Sequence, residues 1–486
     1  MSALSWYKEN RLIIGAGLLT GLLNLIFIIT ENFWGLMIPF AIATMALVVL
    51  ALDKVLLFLI FSTPLSIFYY NERLGLGFNL PTEPLLFGIM LLFIFKLLYR
   101  GSFDRKVAFH PISVIILLQI FWMLITSITS EMPLVSFKFL LARIWFVSVF
   151  FYLFSQLFRQ RINLFRSIWL YIIPLAGVVI YTMVIHAQWG FTRDASTWVM
   201  FPFFKEHTSY GAVLAMYIPA AFVFTFLLKQ DLNLRFFAGL LFVILILGVI
   251  FSFTRAAWVS LAIAQIAAIL IVIKTPRPVF ALMVLLFLGT VYYFKDDLLQ
   301  RFEKNESTSS DNLTEHVESI SNISTDPSNM ERINRWKSAF RMFAERPVTG
   351  FGPGTYMFLY APFQKPYEKT IISTNAGDLG NAHSEYIGPL AESGLPALFL
   401  VLALVFYSIL TGIRTYHRLS DPNLKWLALA LLMGLITYWS HGFLNNFLEM
   451  DKASLPVWSF TAALIVLQQH YAPRDSTNAQ SPAAKS

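Results

Sequence analysis

Residues Phe236 to Ile273 read FFAGLLFVILILGVIFSFTRAAWVSLAIAQIAAILIVI, an apolar run broken near its centre by Ser252, Thr254 and Arg255. A helix rises 1.5 Å per residue and bilayer hydrocarbon is about 30 Å thick, so one crossing needs roughly 20 residues. The run is long enough for two crossings, and the polar trio predicts a tight hairpin between them. Runs of the same kind recur on both sides. Including the two halves of this one, fourteen are found, near 12–30, 33–52, 55–70, 83–99, 111–128, 139–158, 168–189, 210–228, 236–252, 256–273, 279–294, 396–413, 426–444 and 455–470.

Composition says the same of the whole chain. Its 486 residues are 57% hydrophobic and only 13% charged, where soluble domains carry about 25% charge. The expected fold is an all-α polytopic membrane helix bundle of about 12–14 spans. The organisation that follows has a transmembrane bundle over 1–294, a large loop domain over 295–395, three closing spans over 396–470, and a disordered tail over 471–486. The first run lacks a small-residue cleavage site and leads straight into the second, so it reads as a retained anchor.

The net charge of +8 comes from Lys and Arg scattered through short loops and forms no basic stripe, which argues against a nucleic-acid partner. It reads as a topology signal. Cytoplasmic loops hold the excess of Lys and Arg, and the short segments on the opposite side contribute Arg73, Lys138, Arg193, Lys205, Arg255 and Lys452. Both termini are then cytoplasmic and the 295–395 loop lies outside. That loop opens with a flexible polar stretch, Lys304 to Met330. Next comes ERINRWKSAFRMFAER (Glu331 to Arg346), which places Ile333, Trp336, Phe340 and Phe343 at helical spacing and predicts an amphipathic helix near the membrane surface. Gly350-Phe351-Gly352-Pro353-Gly354 then forces a turn.

Cysteine is absent, which removes disulfides, thiolate metal sites and cysteine nucleophiles. There is no P-loop, GxSxG or HExxH. The adjacent Asp296 and Asp297 are the only formal counterpart of a divalent-cation motif in the outer loops, so the chemistry reads as free of metal and cofactor. His383, expected at the start of a helix just above the membrane, has the pKa range of a general base near neutral pH; hydrogen bonding to Glu385 or solvent is its bland reading. Arg255 inside an apolar run suggests an anionic ligand, with snorkelling to headgroups as the alternative. Arg143, about one turn inside the boundary, reads as a ligand group or a structural ion pair. Lys205 and His207 close the loop that Arg193 begins, and His207 fits an interfacial hydrogen-bonder equally well. Guanidinium groups gathered around a histidine suit a diphosphate.

Thr254-Arg255-Ala256-Ala257-Trp258, then Arg332 with Trp336, then Pro347 with Gly350 to Gly354, then His383-Ser384-Glu385-Tyr386 leading to Ala391-Glu392-Ser393-Gly394-Leu395-Pro396 form an ordered set. This set resembles the bacterial O-antigen ligase and polymerase family over about residues 200–450; the first six spans match only as generic membrane helices. The resemblance implies a metal-independent inverting glycosyltransferase of the bacterial inner membrane. Its donor would be an undecaprenyl-diphosphate-linked glycan and its acceptor a hydroxyl on lipid A core, another glycan or a protein. It also implies His383 as base and Arg255 as diphosphate ligand; Arg143 or Arg332 is expected, from its own charge and placement, to assist. The segment Lys205 to Tyr210 departs from the family, which often has an asparagine there, and this leaves Lys205 and His207 without a family role. Two rival classes remain, a secondary transporter or lipid-linked glycan flippase, which predicts internal repeats, and a scaffold subunit, which predicts no cavity beside the outer cations.

Overall fold

A computed structural model describes residues 51–71, 76–100, 103–276, 278, 289, 327–370, 373 and 380–473. The predicted run at 12–30, nearly all of those at 33–52 and 279–294, Arg73, the Asp296–Asp297 pair and the tail beyond 473 lie outside them. The chain divides into two compact units, Met1–Leu59 and Ile60–Ser486. Helix α1, Leu52–Ser62, crosses that division, and everything below concerns the second unit.

Eight helices among the described residues are long and apolar enough to cross a membrane. They are α2 (Thr82–Arg100), α3 (Pro111–Ile128), α4 (Pro133–Phe146, continued by a π-helical turn to Leu153 and a last turn to Leu157), α5 (Arg161–Gln188), α6 (His207–Phe226), α7 (Leu232–Phe251), α8 (Arg255–Val272) and α10 (Ile387–Arg418). Outside the bundle lies α9 (Pro327–Glu345). Two more helices, α11 (Pro422–His441) and α12 (Asp451–Val466), form the core. All of α12 is buried, as expected of a helix surrounded by protein. Helix α11 packs on α6, α8, α10 and α12. The structure is a polytopic helix bundle, as the hydropathy pattern requires.

The hairpin expected at the centre of the Phe236–Ile273 run is present as a break. Helix α7 stops at Phe251, Phe253 takes a left-handed φ of 50°, and α8 begins at Arg255. Both helices lean on α6.

The run at 55–70 is different from its expectation. Its helix ends at Ser62, Pro64 closes a short turn, and Ile67–Asn71 pairs antiparallel with Leu76–Leu80 as strands β1 and β2. Aromatic and β-branched residues such as Ile67, Phe68, Tyr69 and Tyr70 are as apolar as a helical span but favour a pleated strand. The run at 396–413 is also extended, because α10 starts at Ile387 and continues through one non-helical residue, Gly394.

That residue takes part in an interlock. Gly394 has φ +73° and lies so close to Val348 that a Cβ would come within 2.0 Å of the Val348 carbonyl oxygen. The Gly350–Gly354 turn lies against the same kink, with Gly352 N–H donating to the Glu392 carbonyl (2.7 Å) and Leu395 N–H to that of Pro347 (2.9 Å). The two glycine-bearing motifs of the sequence are thus halves of one joint.

The predicted amphipathic helix is present as α9, but its apolar stripe is not the buried side. Glu331, Asn334, Arg335, Ser338, Ala339 and Met342 are buried, whereas Phe340 is 49% exposed. The buried stripe is polar because it is a hydrogen-bonded brace. Arg335 pairs with Glu331 at 2.7 Å, Asn334 donates to Gln364 at 2.8 Å, and Tyr356 donates to the Arg335 carbonyl at 2.7 Å.

Candidate active site

Because successive helices alternate in direction, one end of the bundle collects the β1–β2 ribbon, residues 189–206, the break before Arg255, helix α9, the His383 loop and the 442–450 connection. The candidate residues meet there.

His383 does not begin a helix. It stands in a turn at φ 47°, a conformation that histidine adopts more readily than most side chains. Its backbone N–H donates to Asn381 Oδ1 at 3.0 Å, and Ser384 Oγ accepts from the N–H groups of Tyr386 (3.2 Å) and Ile387 (3.3 Å), capping the helix that follows. The imidazole bonds Asn445. Burial, then the neighbouring Arg332 and Arg335 charges, push the His383 pKa down to about 3 against the pull of Asn445. The ring is therefore neutral and able to accept a proton.

Glu385 is not its partner. That carboxylate accepts from Tyr438 OH at 2.5 Å and from the N–H groups of Phe447 (2.8 Å) and Leu448 (2.9 Å), while its own N–H donates to the Gly442 carbonyl (2.8 Å). Three donors on one buried carboxylate clamp the His383 loop to the 442–450 connection. Helix α9 adds two further ties, Arg335 Nη1 to the Asn381 carbonyl (3.2 Å) and Arg332 Nε to the Leu444 carbonyl (3.2 Å).

Arg332 joins the two sides of the site. Its charge reaches Arg255, His383 and Glu206, and Arg193 in turn neighbours Arg255. Enclosure lowers the Arg332 pKa from its usual value, which Glu206 offsets. Arg255 opens α8, with Thr254 before it donating to the His207 carbonyl at 2.9 Å. His207 thus supports the α7–α8 break through its backbone. Lys205 lies 3.5 Å from the centre of the Phe68 ring, with Glu206 and Glu83 as charge neighbours. Burial raises the Glu206 pKa.

Arg143 is set apart from this group. It lies over the rings of Phe139 (5.8 Å) and Trp458 (5.9 Å), and its charge faces Glu392 and Glu449. Lys452, counted with the outer cations, is buried against Asp451 at 3.7 Å and Ser66 at 2.5 Å. Sequence reasoning did not find the roles of Asn445, Arg335 or Glu206, which depend on contacts between distant segments. Among the described residues no three histidines or acids come together to hold a metal ion.

The molecule is thus a polytopic helical membrane protein with a cation-rich site around a histidine at one end of its bundle. Residues 240–402, which include Arg255, Arg332 and His383, match the family model described as O-antigen ligase. The match assigns this region to the O-antigen ligase family, in agreement with the motifs, and supports an O-antigen ligase-like, glycosyltransferase-type role. No curated protein matches the chain.

Proposed function

We propose that this protein transfers a glycan from an undecaprenyl-diphosphate carrier to an acceptor hydroxyl at the outer face of a bacterial inner membrane, with both termini in the cytoplasm and the 295–395 loop outside. The observation that carries the reading is Arg332, whose charge neighbours both Arg255 and His383. Guanidinium groups held side by side repel one another, and a diphosphate relieves that repulsion through forked hydrogen bonds. Arg255, Arg332 and Arg193 hold the diphosphate; Arg143, which lies apart from them beside Glu392 and Glu449, does not.

His383 accepts the proton of the attacking hydroxyl. The new glycosidic C–O bond forms at the anomeric carbon as the sugar–phosphate C–O bond breaks, and the carrier diphosphate leaves with the electron pair, which inverts the centre. The arginines stabilise the charge that develops on the leaving group without having to reorganise. The acceptor is lipid A core, a second carrier-linked glycan or a protein hydroxyl.

A labelled carrier-linked glycan supplied to membranes carrying His383→Ala tests the assignment. Transfer should fall about 10²- to 10⁴-fold, the usual share of a general base. Undiminished transfer at normal expression would remove His383 from the mechanism.

A further inference from the structure

A pocket adjoins the site, between α3, α4, α10 and the two loops that frame His383. Arg143, Glu392, Glu449, Gln119, Trp439 and Asn446 line it, around about 90 Å³ of space. Ala382, Ser384 and Glu385 also border it, while His383 between them turns to Asn445 and the arginines. The 442–450 connection alternates likewise, Asn445 on the histidine and Asn446 on the pocket. His383 therefore stands between the arginine group on one side and this pocket on the other.

The pocket shows what it lacks. Trp439 is 3% exposed and its Nε1 has no hydrogen-bond partner among the described residues. Gln119 Nε2 and Asn446 Oδ1 are buried without partners as well. A ligand must accept from the first two and donate to the third. It must also suit the acids beside Arg143: burial and the neighbouring Glu392 and Glu385 raise the Glu449 pKa to about 8, so near neutral pH that carboxyl is held mostly protonated and can donate as well as accept. Hydroxyl groups satisfy both conditions, because each donates one bond and accepts two. Aromatic rings complete the lining. Trp122 spends its N–H on the Ser393 carbonyl (2.8 Å) and Tyr356 its hydroxyl on that of Arg335 (2.7 Å), so both offer the pocket apolar surface, which suits the C–H faces of a sugar.

We infer that this pocket holds the sugar bearing the accepting hydroxyl. The assignment rests on the transfer reading above and extends it to the acceptor's chemistry, a saccharide hydroxyl. At about 30 Å³ per water-sized group the space takes the hydroxyl edge of a ring, with the ring itself at the mouth, where Glu449 is exposed.

The test uses the full-length protein in nanodiscs, a labelled undecaprenyl-diphosphate-linked glycan as donor and lipid A core as acceptor probe. Trp439→Phe and Gln119→Leu each remove one donor and keep the shape. Each should raise the acceptor KM about five- to tenfold, with the donor KM unchanged. An unchanged acceptor KM in both variants, or a matching rise in the donor KM, overturns the assignment. A wild type that turns over no donor removes the transfer reading and this one with it, a result visible before any variant is compared.

Discussion

Arg143 and Arg255 look alike in the sequence, each a cation inside an apolar run, yet the fold gives them opposite surroundings. Arg143 faces Glu392 and Glu449; Arg255 faces Arg193 and Arg332. Arg332 also has Glu206 beside it, so what distinguishes the surroundings of Arg255 is the gathering of several cations, which suits an anion. The difference lies in which distant segments the helices bring alongside, and on the proposed function it would separate an arginine that stays clear of the donor from one that binds it.

The comparison breaks most sharply if function follows the wrong arginine. Arg255→Gln and Arg332→Gln should each lower kcat/KM for the carrier-linked donor by about 10²-fold or more, the scale of one lost group that stabilises developing charge. Arg143→Gln should leave the donor KM unchanged, because Arg143 neighbours Glu392 and Glu449 and not the arginine group. A donor KM that rises only in Arg143→Gln would reverse the assignment.

The clamp that holds the His383 loop to the 442–450 connection should give an intermediate effect. Glu385→Gln replaces a carboxylate that accepts three hydrogen bonds, and thermal unfolding should report a loss of about 1–3 kcal/mol. Gly394→Ala strains a left-handed residue packed on Val348 and should cost about as much. Wild-type stability in both would show that the joint does not matter.

The smallest effect is a displaced pH limb. His383 is held near 3 in the free protein, below its ordinary 6.5, by burial and then by Arg332 and Arg335. A base with a depressed pKa stays deprotonated until the pH falls to that value, so kcat/KM should show no loss from this group between pH 5 and 8. Arg332→Gln removes one repelling charge, and the acid limb should move upward towards 6.5. A downward shift would contradict the electrostatics.

Much of this was legible in the sequence. The helical runs, the break at Arg255 and the turn at Gly350 to Gly354 follow from hydropathy, charge and glycine. His383 and Arg255 could be singled out by chemistry alone. Three features could not. Ile67 to Asn71 is apolar enough for a span but folds as a strand, because composition does not report period. Helix α9 buries its polar stripe, since Gln364, Asn381 and Leu444, which supply its partners, come from elsewhere in the chain. Glu385 was readable as a neighbour of His383, yet three donors from 438–448 claim it.

The central claim is that Arg255, Arg332 and His383 share one diphosphate pocket. Titrating the His383 imidazole by NMR with and without undecaprenyl diphosphate tests it most directly. A bound diphosphate beside the arginines should raise the His383 pKa from its depressed value, because an anion favours the charged ring. A titration that does not move while the carrier binds would place the diphosphate elsewhere and contradict the account.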